Sequence, residues 1–156
     1  MKHGTALAIL GSMLTLNACV TDRAAPSFAA APVPTIRADQ AVLYIYRENA
    51  APTAWSAYLQ MDGKAVASLA QQGFTWIYVA PGLHKMKFGW PALAGMPKVA
   101  FEHTFEAGKV YAFEMIGQID TNGWSYRSLS AVAPIEFDFA QKKMTACCRF
   151  VPASKP

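Results

Sequence analysis

The chain has 156 residues, of which 53% are hydrophobic and 15% charged, and its formal net charge is +4 at pH 7. The apolar and aromatic content is high enough to bury a single core, which makes this one domain's worth of chain. The positive charge is mild and dispersed along the sequence, so nucleic acid is excluded as an expected partner.

The first eighteen residues are predicted to be an export signal. Residues 6–16 form an apolar stretch that is too short to cross a bilayer as a helix, which needs about 20 residues. Residues 16–19 (LNAC) are typical of a lipobox, with an aliphatic residue three places before Cys19 and a small residue directly before it. We expect a diacylglyceryl group on the Cys19 thiol and cleavage in front of it. The alternative is an ordinary cleaved signal with a chance cysteine.

Residues 19–40 are predicted to be the lipidated cysteine followed by a flexible linker. This stretch is rich in Ala, Pro and Thr and has neither a helical nor a strand periodicity. Val20, rather than an aspartate, follows the cysteine, and in Gram-negative bacteria this favours the outer membrane. The expected partner is therefore the lipid bilayer, bound through acylated Cys19 on the periplasmic side.

The stretch from Ala41 to Val132 alternates with period two, and turn residues interrupt it about every eight to twelve positions. Residues 41–47 are apolar on both faces, which predicts a buried central strand. Asp62-Gly63 predicts a two-residue hairpin turn of type I′. Further strands are predicted over residues 56–61, 64–69, 74–79, 84–90, 98–106, 110–116 and 125–132.

The last part of the domain has a different pattern. Pro134 is predicted to open a short helix, because apolar residues follow it at a partly helical spacing as far as Met144. Short strands without intervening helices predict an antiparallel β-sandwich or small barrel with one short C-terminal helix. We expect this mainly β domain over residues 41–150 and a disordered tail over 151–156.

The strand-and-turn phrase of residues 59–64 (LQMDGK) and 73–84 (GFTWIYVAPGLH) resembles the bacterial family called domain of unknown function 2846. Members of that family are commonly predicted lipoproteins. The phrase also resembles the PEGA-type β module of surface proteins, and residues 107–111 (AGKVY) are similar to a later segment of the same family. The likeness covers residues 41–149. It implies a β-rich extracytoplasmic domain and brings no established reaction, ligand or cofactor.

Catalytic residues are not indicated anywhere in the domain. A nucleophilic triad or a carboxylate pair would need a local signature to place its members, and the sequence contains none. We therefore expect no enzyme activity and no cofactor.

A metal site is the sharpest chemical hypothesis that the sequence allows. If residues 84–90 and 98–106 are antiparallel neighbours, His84 and His103 lie nearly opposite each other. The Met86 thioether would share their face, which together makes a copper-type or zinc-type ligand set. The alternative is that both histidines are core residues whose ring nitrogens are bonded to the backbone.

Cys147 and Cys148 are the two thiols that remain once Cys19 is lipidated. The compartment favours disulfides, but adjacent cysteines can bridge only through a strained ring. A disulfide between them, two buried thiols, and a disulfide to another chain all stay open.

The chain is rich in aromatic side chains. Those outside the phenylalanines are Tyr44, Tyr46, Trp55, Tyr58, Trp76, Tyr78, Trp90, Tyr111, Trp124 and Tyr126. They either fill a core between two sheets or present a face to a glycan or an envelope protein. The sequence as a whole predicts a membrane-anchored periplasmic lipoprotein with a non-enzymatic binding or assembly role in the cell envelope. The alternative is a metal-handling lipoprotein that uses His84, Met86 and His103.

Overall fold

The structure, a computed structural model, describes residues 20–154. The predicted signal peptide and the predicted lipidation site, Cys19, lie outside the described residues, as do the last two residues of the predicted tail. No helix in the described part of the chain is long and apolar enough to cross a bilayer.

Two β-sheets and one helix make up the domain, which confirms the predicted fold class. Sheet 1 has the strand order β8-β7-β1-β4-β9 and sheet 2 the order β3-β2-β5-β6. The strands are β1 (Ala41–Arg47), β2 (Ala57–Met61), β3 (Lys64–Leu69), β4 (Gly73–Val79), β5 (Gly82–Gly89), β6 (Val99–Phe105), β7 (Val110–Asn122), β8 (Ser125–Ile135) and β9 (Arg149–Phe150). The helix α1 spans Phe137–Cys147, and short 3-10 turns lie at Phe28–Ala30 and Ala92–Ala94.

Strand β1 is the centre of sheet 1, as predicted, and all seven of its residues are buried. It pairs with β4 in antiparallel and with β7 in parallel orientation. The parallel pairing arises because the chain leaves sheet 1 after β4, builds β5 and β6 in sheet 2, and then returns beside β1. A second parallel pairing joins β4 to β9. The sandwich is otherwise antiparallel.

The predicted hairpin at Asp62-Gly63 is also confirmed, and it joins β2 to β3. Both turn residues have positive φ angles, 50° at Asp62 and 80° at Gly63. This is the left-handed backbone that a type I′ turn requires and that Asp-Gly tolerates well.

Apolar side chains are buried in two layers. The inner core lies between the two sheets and contains large side chains such as Phe88, Trp90 and Phe113. The second core lies on the outer face of sheet 1, where α1 packs through Ala140 and Met144. Sheet 1 is thus covered on both faces, which explains why β1 is apolar or aromatic at every position before Arg47.

Residues 20–40, here called the N-terminal segment, differ from the predicted flexible linker because they lie against sheet 1. The Thr21 amide donates to the Gln71 carbonyl at 2.9 Å. The Trp76 indole donates to the Pro32 carbonyl at 2.7 Å, and the Tyr78 hydroxyl donates to the Thr35 carbonyl at 3.1 Å. A proline-rich extended backbone leaves its carbonyls free to accept hydrogen bonds, so the segment packs on sheet 1 with one short 3-10 turn, Phe28–Ala30, as its regular structure.

The predicted start of the helix and the predicted tail also need correction. Pro134 lies in β8, opposite Phe113, and α1 begins three residues later. Strand β8 is an edge strand, where the missing N–H of proline costs no ladder hydrogen bond. Residues 151–154 are tied to the domain as well, because the Val151 amide donates to Phe74 at 2.8 Å and the Ser154 amide to Val66 at 3.3 Å.

Candidate functional site

His84 lies on β5 directly opposite His103 on β6, which is the register that the sequence analysis expected. Both ring nitrogens of His84 are engaged. Nδ1 lies 2.6 Å from the Asp62 carboxylate and Nε2 lies 2.9 Å from the Ala80 carbonyl oxygen. Both partners are oxygen atoms that accept hydrogen bonds. The hydrogen bond from His84 holds the pKa of Asp62 below its usual value.

His103 lies among aromatic rings. Its ring centroid is 4.7 Å from that of Phe105, 5.3 Å from that of Tyr111 and 5.1 Å from that of Phe113. Its Nε2 is buried without a hydrogen-bond partner. Burial lowers the pKa of His103, so the neutral ring is favoured at this position.

The candidate metal ligands therefore lie near one another without forming a ligand set. A metal needs a free nitrogen lone pair, and both nitrogens of His84 face oxygen acceptors. Met86 is 2% exposed and belongs to the inner core. Within residues 20–154, no three His, Cys, Asp or Glu side chains come together as a metal ion would require.

Cys147 and Cys148 form a disulfide with each other, one of the three arrangements that the sequence left open. The pair lies at the end of α1, where Cys148 is buried in the second core. Strand β9 follows the pair directly, at Arg149.

Arg47 is a buried charge that the sequence analysis did not single out. Its guanidinium is fully buried and donates to four backbone carbonyls, those of Ala50, Pro52, Trp55 and Leu69, at 2.7–2.9 Å. Burial lowers its pKa to about 10, so the group stays protonated at neutral pH. The sequence feature that could have identified Arg47 as buried is its position at the end of a strand that is otherwise apolar or aromatic on both faces. The four carbonyls accept from the two terminal nitrogens, while the buried Nε has no partner. Through these bonds Arg47 fixes the conformation of the loop of residues 48–56.

A second polar cluster joins α1 to sheet 1. Lys143 lies 3.2 Å from Glu48 and 3.2 Å from Glu114, and the Tyr46 hydroxyl donates to Glu114 at 2.9 Å. Burial alone would lower the pKa of Lys143, but the hydrogen bonds to the two carboxylates raise it overall. Burial and the hydrogen bond with Glu114 raise the pKa of Tyr46. Charges of opposite sign are paired here, which is the pattern of a helix-docking contact rather than of an acid and base facing a substrate.

An apolar groove of about 250 Å³ lies between the N-terminal segment, sheet 1 and α1. Its lining includes Phe28, Ala31, Ile36, Val42, Tyr44, Phe74 and Phe137. Gln141 and the Tyr44 hydroxyl are the polar side-chain groups on the wall. The groove can hold a small apolar group, and it lacks the convergent polar residues that catalysis needs.

Some of the tyrosine and tryptophan side chains fill the core and others are exposed, so each of the two alternatives holds for part of the set. Tyr44, Tyr46 and Trp90 are buried. Trp76 and Tyr78 are half-buried under the N-terminal segment. The exposed members are Trp55, Trp124 and Tyr126, of which Trp124 is fully exposed. Most of the set therefore packs within the fold, and a minority is free to contact a partner.

No family model matches the chain, and no curated protein is similar enough to it to count as a relative. The resemblance to the domain of unknown function 2846 family stays a prediction.

Proposed function

We propose that this chain is a lipoprotein anchored through acylated Cys19 on the periplasmic side of the outer membrane. Its β-sandwich is a non-enzymatic binding or assembly component of the cell envelope. The resemblance to the domain of unknown function 2846 family belongs to the same proposal. The observation that carries it is the position of Val20, the residue that follows the lipobox cysteine.

Val20 is held on the folded domain. It forms a parallel bridge with Gln71, and the next residue, Thr21, is buried and hydrogen-bonded to the same Gln71 backbone. A lipid on Cys19 would therefore be attached one residue away from the domain. The domain would stand directly on the membrane instead of at the end of a long spacer.

The groove supports binding rather than catalysis. Its walls are apolar apart from Gln141 and the Tyr44 hydroxyl, so a sugar would leave most of its hydroxyls without partners. Its volume of about 250 Å³ is below that of typical drug-sized sites, which begin near 300 Å³. These two properties favour one stretch of hydrocarbon chain as the ligand.

Metal handling by His84, Met86 and His103, the alternative function, lacks comparable support. His84 is occupied by Asp62 and Ala80, and Met86 is sealed in the inner core.

The anchoring is tested by labelling the full-length chain with an alkyne fatty acid in a Gram-negative host. The wild-type chain is expected to carry the label and to partition into detergent. Cys19→Ala is expected to lose the label completely and to keep the mass of the uncleaved precursor, because no thioether can form. The double variant Cys147→Ser, Cys148→Ser is the thiol control and should stay labelled. An unlabelled wild-type chain would refute the anchor.

Hydrocarbon binding is tested with the chain from Val20 onward, which contains every element and contact described above. A fluorescent polyene fatty acid is the probe. Ala31→Phe fills the groove, because Ala31 is 8% exposed and lies on its wall. This variant should lower probe affinity at least tenfold. Ala100→Phe is the matched control on the exposed face of β6 and should leave the affinity unchanged. Equal affinities in both variants would show that the probe binds elsewhere.

A further inference from the structure

One end of the sandwich carries most of the exposed large hydrophobic side chains. We call it the anchor end, because Val20 lies there together with the loops of residues 48–56 and 90–98. The exposed hydrophobic residues at this end are Val20, Trp55, Leu93, Trp124, Tyr126 and Leu129. The opposite end, formed by the turns at Asp62-Gly63 and Pro81-Gly82, exposes Leu83.

The register of the strands places these residues at the same end. Strand β1 ends at Arg47, whose side chain binds the Trp55 carbonyl. Leu93 follows β5, which ends at Gly89 opposite Tyr58 near the start of β2. Val20 lines a shallow depression together with residues 117–119 of β7. Six of the ten exposed large hydrophobic side chains in residues 20–154 therefore lie toward one end, while Val33, Ile36 and Phe139 are exposed on the N-terminal segment and on α1.

Strands β7 and β8 project beyond this end as a two-stranded arm, residues 118–129. The last pairing of β7 with β1 is at Glu114, but β7 continues to Asn122 paired with β8 alone. From Gly117 to Asn122 the arm extends by about 17 Å, at the usual rise of a strand. Its tip is the turn at Gly123-Trp124, where Gly123 has a φ of 57°.

The composition of the arm suits a boundary between water and lipid. Asp120 and Arg127 lie opposite each other on one face, and Thr121 lies opposite Tyr126 on the other. Trp124 is fully exposed at the tip. Tryptophan and tyrosine concentrate at membrane–water interfaces, because their rings are apolar at one end and donate hydrogen bonds at the other. A two-stranded ribbon without further partners is also only marginally stable in water.

We propose that the arm is a membrane-contact element that places Trp124 in the interfacial layer of the bilayer that holds the Cys19 lipid. This inference rests on the proposed anchoring. Cys19 is bonded to Val20, and Val20 lies beside the base of the arm. An acylated Cys19 therefore brings the bilayer to this end, and the arm extends past the base in the same direction. A second attachment of this kind orients the domain, which a lipid anchor alone leaves free to rotate.

The test uses the full lipidated chain in vesicles of phosphatidylethanolamine and phosphatidylglycerol. An environment-sensitive nitrobenzoxadiazole dye is attached to the thiol of Trp124→Cys or of Leu83→Cys. The introduced thiol is the free one, because Cys19 is acylated and Cys147 is bonded to Cys148. Leu83 is the matched control, since it is 63% exposed at the opposite end. Neither side chain is part of a core, so both variants should fold.

At position 124 we expect blue-shifted emission that lipid-borne nitroxide quenches and aqueous iodide does not. At position 83 we expect the reverse. Equal iodide quenching at both positions, in protein that floats with the vesicles, would overturn the membrane contact while leaving the anchor intact. Shielding at position 124 that varies with protein density and resists the lipid nitroxide would show a protein contact and overturn it as well. If neither labelled protein floats, the anchoring itself fails.

Discussion

Replacing Gly117 with alanine is expected to lower the free energy of unfolding by about 3 kcal/mol or more. Gly117 lies in β7 where the loop of residues 48–56 crosses it, and its carbonyl accepts a hydrogen bond from the Ala51 amide at 2.8 Å. A Cβ atom there would overlap the Ala51 carbonyl oxygen and would lie 2.6 Å from the Trp90 ring. A backbone oxygen and a fully buried indole cannot both move aside without opening the inner core. Urea unfolding of the two proteins measures the difference.

Gly95→Ala is the matched control. Gly95 has a φ of 67°, and nothing lies within 4 Å of the position its Cβ would take. Its replacement should cost only the strain of a left-handed alanine, about 1–2 kcal/mol. Adding Trp90→Phe to Gly117→Ala should not restore stability, because the overlap with the Ala51 backbone remains. A Gly117→Ala variant no less stable than Gly95→Ala would contradict this account of the crossing.

Replacing Arg47 with methionine is expected to lower the free energy of unfolding by about 3–5 kcal/mol, because a buried carbonyl that loses its donor costs about 1–3 kcal/mol. The guanidinium donates to the carbonyls of Ala50, Pro52, Trp55 and Leu69. Methionine fits the space but removes the guanidinium donor from the carbonyls of Pro52, Trp55 and Leu69. The Ala50 carbonyl keeps a hydrogen bond from the Gln71 side chain. Urea unfolding and protease digestion of the 48–56 loop should both rank the Arg47→Met variant as less stable than the wild-type chain.

Two further variants serve as controls for the Arg47 prediction. Arg127→Met removes an exposed arginine on the arm and should change stability by no more than about 0.5 kcal/mol. Arg47→Lys keeps the charge but cannot reach four carbonyls, because an ammonium has three donors at a single point. The Arg47→Lys variant should recover less than half of the unfolding free energy that Arg47→Met loses. If Arg47→Met unfolds at the same urea concentration as Arg127→Met, the guanidinium does not hold the loop.

The elements set by local chemistry could be predicted from the sequence. The alternation of apolar residues marked the strands, and the run of residues 41–46, apolar or aromatic on both faces, marked the centre of sheet 1. Asp62-Gly63 marked its hairpin, since few residue pairs accept two positive φ angles. The facing positions of His84 and His103 followed from the same periodicity and one correctly placed loop.

The candidate site depended on contacts that local patterns do not contain. Asp62 and Ala80 occupy both nitrogens of His84, and these residues come from other turns of the chain. Arg47 carries a charge that in isolation indicates a solvated strand end. It is buried because four carbonyls from a following loop and from β3 converge on it.

The sequence by itself determined where most strands and turns lie and which cysteine is the predicted lipidation site, because periodicity, turn residues and a lipobox-like pattern are properties of neighbouring residues. Only the tertiary structure decided that residues 20–40 pack on sheet 1 and that β7 and β8 extend beyond the neighbouring strands. It also placed most of the exposed large hydrophobic side chains at the end of the sandwich that contains Val20. The physical reason is that packing and exposure depend on which distant segments meet. A proline-rich stretch looks the same in sequence whether or not aromatic side chains elsewhere supply donors for its carbonyls.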